Sequence, residues 1–307
     1  MTVVISKELS QMLHTNVRIG KVNLGLLNRI IVDDMLVDDQ SGKQLLKVTR
    51  LSAKFELKSI LEGKISINSV QLFGFTAQLN KQTPQSASNF KFVIDAFAPK
   101  DTIKTESNIN LRINSILIRR GKVSYDVLSE EETPGTFNPN HLEVHNIIAN
   151  LSLKALTPDS LNMGIKRLSF DEQSGFSLKK LKLKLIANRK KAQIEHFTID
   201  FPESSIQMGN ISLMYSAPDA FEHIADKVAF SMRILPTSYV TLKDISSFVP
   251  ALKNFKEPIW LDLQARGTIN QLSCPRFALS TEDRTFSLSA EGSGQNLTHP
   301  EETYIFG

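Results

Sequence analysis

Apolar and polar residues alternate along most of this chain, which is the pattern of β-strands, because successive side chains of a strand point to opposite faces. The clearest case is LKKLKLKL at residues 178–185. Leu181, Leu183 and Leu185 fall on one side of that strand, and lysines fall on the other. The sequence therefore predicts a leucine stripe that lies against this protein's own core, against a partner or against a ligand that is not protein.

The alternation changes phase by one residue inside several of these segments. The changes fall between Ile19 and Val22, Val32 and Met35, Ile67 and Val70, and Ile113 and Ile116. A slip of one residue sends every later side chain to the other face unless a bulge or a turn absorbs it. We therefore predict bulged and strongly bent strands, or hairpins tighter than they look, and a curved sheet.

Two segments resemble each other, which suggests an internal repeat. Residues 65–79 and 111–127 share Ile-Asn-Ser, then two apolar positions at alternate residues, then a glycine at Gly74 or Gly121. Repeated units of this kind predict stacking, in which each unit buries its face against its neighbours. The alternative is that two amphipathic strands look alike by chance.

Helical spacing is confined to short segments. The first is a leading helix with Ser6 as its N-cap, and the others lie near residues 219–228 and 244–253, with Asp219 and Asp244 as N-caps. Residues 90–98 suit either a helical turn or a strand. Since alternation dominates elsewhere, strand residues should outnumber helical residues several-fold.

Composition places the chain among globular proteins. It has 307 residues, 41% hydrophobic and 22% charged, enough for one large or two ordinary domains. The net charge of +4 is too mild for a nucleic-acid-binding protein but is compatible with attraction to anionic lipid. The single cysteine, Cys274, excludes an internal disulfide and a zinc site built on paired cysteines. No segment approaches the ~20 apolar residues that span a bilayer.

The motifs that carry catalysis or metal binding are missing from the sequence. Four aspartates at residues 33–39 lack the spacing of an EF-hand, and residues 38–42 (DDQSG) predict a hairpin turn instead. His141 and His145 fall on one strand face without a third ligand nearby. No nucleophile elbow, P-loop or dinucleotide fingerprint occurs. We expect no enzyme activity, no catalytic residues, no metal site and no cofactor.

The N-terminal strands resemble a known family. A short helix is followed by V-x-I-G-x-V at residues 17–22, by L-x-R-I-x-I-x-D-like residues 27–34, and by a step similar to S-I-L-x-G-K-I-x-I at residues 59–67. Residues 237–253 and 257–280 resemble later parts of the same family, with Gly267 closing one strand. This arrangement resembles the N-terminal region of the AsmA/TamB family. The likeness is densest in residues 14–79 and 237–295.

The resemblance implies a mostly β fold: an elongated, curved, antiparallel-rich sheet that forms an open, taco-like groove with an apolar inside, and a few short helices. It implies one unit over residues 1–98 with the leading helix, and continuing groove repeats over residues 99–307. The family's membrane anchor normally lies just upstream of this region. We therefore expect a segment of a longer protein, periplasmic and anchored to the inner membrane.

The resemblance also implies a function and partners. Such proteins bridge the two membranes of a bacterial envelope and are implicated in phospholipid movement and outer-membrane protein assembly. We therefore expect phospholipid acyl chains as ligands, an outer-membrane barrel assembly partner for the full-length protein, and no nucleic acid. The predicted lipid-facing residues are Leu181, Leu183, Leu185, Leu151 and Leu153. The alternative is a scaffold that binds a β-barrel partner by strand addition.

Overall fold

The computed structural model describes residues 2–26, 28–55, 67–97, 113–157 and 159–307. Strands make up 61% of the structure and helices 14%. The described residues form sixteen strands that all belong to one sheet, and nearly all neighbouring strands run antiparallel. The prediction of a mostly β, antiparallel-rich fold with a few short helices is confirmed.

The strands follow one another in the sheet almost in chain order. β10 and β11 are the exception, because both lie between β9 and β12. The strands are β1 (Val17–Gly25), β2 (Arg29–Asp38), β3 (Gln44–Phe55), β4 (Ile67–Lys81), β5 (Ile113–Val127), β6 (His141–Thr157), β7 (Ser160–Glu172), β8 (Ser177–Asn188), β9 (Lys191–Asp200), β10 (Ser205–Gln207), β11 (Ile211–Met214), β12 (Ala229–Thr241), β13 (Pro258–Gly267), β14 (Gln271–Thr281), β15 (Ser287–Gln295) and β16 (Tyr304–Phe306).

The described helices are short; three of the regions match predicted helices, residues 90–98 prove to be helical, and the turn at Pro300–Glu302 was not predicted. They are α1 (Thr2–Leu13), α2 (Lys91–Phe97), α3 (Ile224–Lys227) and the 3-10 helices Pro218–His223, Leu242–Ile245, Pro250–Asn254 and Pro300–Glu302. The two predicted helices near residues 219–228 and 244–253 are therefore present, but mainly as 3-10 turns. The predicted N-caps are wrong: Ser6 lies inside α1, and Ala217 precedes the turn that contains Asp219.

The contacts within the chain divide it into two compact units. Unit 1 comprises Met1–Ser152 and Ser169–Phe176, and unit 2 comprises Leu153–Leu168 and Ser177–Gly307. The domain boundary predicted between residues 98 and 99 lies outside the described residues, as does the linker at residues 99–108, and both stay predictions. The same holds for the family-like step at residues 59–66.

The phase changes between Ile19 and Val22 and between Val32 and Met35 fall at one level of the sheet, whereas those read between Ile67 and Val70 and between Ile113 and Ile116 lie at another level of β4 and β5. The registers on either side place Gly20, Asp34, Thr49, Gly74 and Arg120 next to one another on β1 to β5. Asp34, Gly74 and Arg120 adopt left-handed backbone angles, with φ of 54°, 64° and 56°. Because neighbouring strands change phase together at this left-handed row, the strand register continues through it and apolar residues still pair with apolar residues on both sides.

The two copies of the repeat lie side by side as parallel strands. In β4 and β5, Val70 is paired with Ile116 and Leu72 with Ile118, which is the alignment read from the sequence. The glycines are not equivalent, however, because Gly121 is paired with Phe75 rather than with Gly74. A Cβ atom at Gly121 would lie 2.4 Å from Cε1 of Phe75, so this glycine makes room for the aromatic ring.

Helix α1 covers the backbone of β1, the first strand of the sheet. Thr2, Ser6 and Ser10 share one helix face, because they are four residues apart. The amide of Val17 donates to Ser10 Oγ at 3.0 Å, Ser6 Oγ donates to the carbonyl oxygen of Val17, and the amide of Val22 donates to Thr2 Oγ1 at 3.1 Å. These hydroxyls satisfy backbone groups that an exposed edge strand would offer to another chain.

Candidate functional site

Strand β8 has one apolar face, which carries the leucine stripe, and one charged face, as its alternation predicts. Leu181 is paired with Ile199 of β9 and Leu185 with Ile194, and these aliphatic side chains are half-buried. On the other face, Lys184 Nζ lies 2.8 Å from Glu195 Oε2 and Lys180 Nζ lies 3.7 Å from Asp200 Oδ2. The ion pairs fix the lysines on the face opposite to the leucines.

A bulge in β9 keeps the partners of the leucines on their face. The register shifts between Lys182, paired with Thr198, and Lys184, paired with Glu195, so two residues of β9 stand opposite Leu183. One of them, His196, has a left-handed φ of 57°. An extra residue in one strand reverses the phase of its side chains. Ile194 and Ile199 therefore lie on the same face although they are five residues apart.

The leucine stripe continues across the strands of unit 2, because directly paired residues point to the same face of a sheet. Leu181 is followed by Ile199 and Ile206 on β9 and β10. On the same face, paired apolar residues continue across β12, β13, β14 and β15. Together these residues form the surface that we call the unit 2 apolar face: Leu181, Leu183, Leu185, Ile194, Ile199, Ile206, Ile211, Ile234, Leu261, Leu263, Phe277, Leu279 and Leu288.

The opposite face of unit 2 is polar and ion-paired. Asp262 is buried between two arginines, with Oδ2 2.5 Å from Arg276 Nε and Oδ1 3.7 Å from Arg233 Nε. The rings of Tyr239 and Trp260 pack on that face at a centroid distance of 5.1 Å. Unit 2 therefore has an amphipathic sheet.

Most residues of the unit 2 apolar face are only half-buried, and Leu288 is 45% exposed. Aliphatic side chains of one sheet layer shield each other from water in part, and a further apolar layer would complete their burial. The geometry thus offers a surface on which apolar chains can lie.

The five predicted lipid-facing residues are not all placed in this surface. Leu181, Leu183 and Leu185 belong to it, whereas Leu153 lies on β6 within unit 2 and Leu151 lies on β6 within unit 1. Leu151 and Leu153 are half-buried, and their contact with lipid stays a prediction. The sequence analysis missed the contributions of β9 to β15. Their alternation could be read, but strand pairing decides which stripes share a face.

His141 connects β5, β6 and the loop between them. Its Nδ1 lies 3.1 Å from Oδ1 of Asp126 on β5, and its Nε2 lies 3.0 Å from the carbonyl oxygen of Glu130. Both partners are acceptors, so only the doubly protonated imidazolium can donate to both. The carboxylate of Asp126 and then the carbonyl of Glu130 raise the pKa of His141. Within the described ranges, no three histidine, cysteine or acidic side chains are arranged to hold a metal ion.

We expect His141 to make the thermal stability depend on pH. Its raised pKa means that the stabilisation is fully present below the ordinary value of 6.5 and is lost as the pH rises through the folded-state pKa. The melting temperature of the wild-type chain should therefore fall across this window more steeply than that of His141→Gln. Asp126 and Glu132 carry the negative charge that acts on His141.

Scanning calorimetry between pH 6 and about 9 measures this dependence. A matched control is His14→Gln, because His14 is exposed and should leave the slope unchanged. Equal pH slopes in the wild-type chain and in His141→Gln would contradict the prediction.

Comparisons with known proteins add no family to this geometry. No family model matches this chain, and no curated protein matches it. Among the helices that the structure describes, none combines the length and the apolar composition needed to cross a bilayer.

Proposed function

We propose that this chain is a lipid-shielding segment of an envelope protein of the AsmA/TamB type, which holds acyl chains against an apolar sheet face. The observation that carries the proposal is the unit 2 apolar face, where half-buried aliphatic side chains continue from β8 to β15. The family-like residues of the N-terminal strands support the same assignment. In this proposal the full-length protein is periplasmic and anchored to the inner membrane.

The energetics of acyl chains suit such a surface. Each methylene group that leaves water contributes about 0.8 kcal/mol, so several of them suffice for micromolar binding before the cost of ordering the chain is subtracted. The surface is apolar and almost entirely aliphatic, and its charged neighbours are held on the opposite face by ion pairs such as that between Lys184 and Glu195. A lipid can therefore lie along the leucines without burying a charge.

The first prediction tests the apolar face directly. Leu183→Asp should reduce cross-linking to a photoactivatable phospholipid about tenfold or more, because a carboxylate on this face would have to lose its hydration against the acyl chain. The matched control is Lys182→Asp, which puts the same side chain on the other face of the same strand. Cross-linking is measured on purified protein, and circular dichroism reports the strand content.

A second variant separates lipid binding from folding. Leu288→Asp changes a more exposed position of the same face and should fold, yet it should also lower the cross-linking yield. If Leu183→Asp unfolds the chain while Leu288→Asp binds lipid normally, the leucine stripe belongs to a closed core and the proposal fails.

A scaffold that binds a β protein by strand addition is the second candidate. β15 pairs with β16 only over Ser293–Gln295, and Gly292 lies against the backbone of Phe306, so among the described residues 287–290 have no paired strand on that side. An open strand edge of this kind is a template for a further strand. If neither the wild type nor the variants cross-link to the phospholipid, and the purified chain carries no lipid, strand addition is favoured over lipid binding.

A further inference from the structure

The most exposed aliphatic side chains of unit 1 belong to two neighbouring segments, the end of β1 with the residue that follows it and the first turn of α1. Leu24 is 70% exposed at the end of β1, and Leu26 is 90% exposed in the turn that follows. Val3 and Val4, in the first turn of α1, are 79% and 62% exposed. The hydrogen bond from the Val22 amide to Thr2 Oγ1 holds the start of α1 beside this end of β1. We call Val3, Val4, Leu24 and Leu26 the hairpin-tip surface.

Basic residues surround the hairpin-tip surface. Between the left-handed row and the tip, residues 21–25, 29–33 and 50–55 carry four basic and one acidic residue, a net charge of +3. The acidic residue, Asp33, is held by Arg50 at 2.6 Å, so its charge is compensated locally. Lys21 is exposed, and Lys54 stands beside Arg29, the first residue of β2.

Exposed aliphatic side chains with basic residues around them fit one environment well. The boundary of a bilayer with anionic lipids offers acyl chains to the leucines and valines and phosphate groups to the lysines and arginines. A second copy of this chain fits less well, because it would bring like charges together. Four aliphatic side chains also fall short of the roughly 800 Å² that each partner of a stable complex buries.

We propose that the hairpin-tip surface docks unit 1 onto an anionic membrane surface, with Leu24 and Leu26 inserted at the headgroup boundary. The backbone edge of β1 is not part of the docking surface, because the hydroxyl groups of α1 occupy it. This docking does not depend on the unit 2 apolar face, which lies on other strands.

Vesicle co-sedimentation tests the proposal. The wild-type chain should bind vesicles of phosphatidylcholine with phosphatidylglycerol and should lose binding as salt rises or when phosphatidylcholine is used alone. Leu26→Asp should weaken binding about tenfold or more, since it removes one buried leucine side chain from the inserted surface. Lys54→Glu should weaken binding to the anionic vesicles as well.

The matched control is Ile305→Asp, which changes an aliphatic side chain of unit 2 that is 78% exposed. Equal binding by the wild type and Leu26→Asp would overturn the proposal, and so would equal losses in Leu26→Asp and Ile305→Asp. A wild-type dimer that Leu26→Asp converts to a monomer, without vesicle binding, would assign the surface to self-association instead. Phospholipid cross-linking at Leu183 is a separate readout, so either proposal can fail alone.

Discussion

Gly267→Ala should lower the free energy of unfolding by about 3 kcal/mol or more, because alanine cannot take the backbone conformation at the end of β13 without strain and a clash. Gly267 has a φ of +125°, where an L-residue is strained. A Cβ atom there would lie 2.0 Å from the carbonyl oxygen of Gln271. That oxygen also accepts the amide of Thr268 at 2.9 Å, so the turn cannot move away without losing this bond. Urea denaturation followed by circular dichroism measures the loss.

Gly42→Ala is the matched control for Gly267→Ala. Gly42 also has a positive φ, +80°, but an added Cβ atom would meet no other atom within 4 Å. The control should therefore cost only the backbone strain, about 1–2 kcal/mol. Equal losses of unfolding free energy in the two variants would show that the contact with Gln271 does not add to the destabilisation.

The turn at residues 38–42 could be predicted because its chemistry is local. Oδ1 of Asp39 accepts the amides of Ser41 at 2.8 Å and Lys43 at 3.0 Å. Burial raises the pKa of Asp39, but the hydrogen bonds from the Ser41 hydroxyl, from these two amides and from Asn89 outweigh it, so the pKa is lowered. Gly42 supplies the left-handed residue that the turn requires. The bonds from Asp39 to Ser41 and Lys43 lie within five residues, so the turn itself could be predicted, whereas the contact with Asn89 could not.

Ser6 shows how tertiary structure overrides a local rule. A serine before an apolar helical pattern favours an N-cap, and this was the prediction. The helix instead begins at Thr2, and the hydroxyl of Ser6 donates to the carbonyl of Val17 on β1. The carboxylate of Asp244 similarly accepts the amide of Glu203 at 3.0 Å, 41 residues away in the chain. Such partners could not be identified before the strands were placed.

The apolar face was predictable strand by strand but not as a surface. The alternation of Leu181, Leu183 and Leu185 is visible in the sequence, whereas the pairing of Leu181 with Ile199 depends on the bulge at His196. Arginine gives no signal for the left-handed geometry of Arg120, and histidine, although enriched in that region, adopts it too rarely to single out His196. A phase change could therefore be read from the sequence, while the residue that absorbs it could not.

One buried hydroxyl group contributes two of the hydrogen bonds that join β10 to β12. Ser238 is fully buried, and its Oγ accepts the amide of Gln207 and donates to the carbonyl oxygen of the same residue, both at 3.0 Å. The register of β12 shifts between Ile234 and Ser238, and Pro236 in this segment has no amide hydrogen. The side chain of Ser238 thus replaces backbone partners that β12 does not offer here.

Ser238→Ala should therefore lower the free energy of unfolding by about 2–4 kcal/mol, because an amide and a carbonyl of Gln207 lose their partner at a buried site. The exposed neighbour Thr237 gives the control: Thr237→Ala should stay within about 0.5 kcal/mol of the wild type. Hydrogen exchange adds a local readout, since the Gln207 amide should lose protection in Ser238→Ala alone. An unchanged exchange rate there would mean that water or backbone movement replaces the hydroxyl. In that case Ile206 would keep its position in the unit 2 apolar face without the hydroxyl group of Ser238.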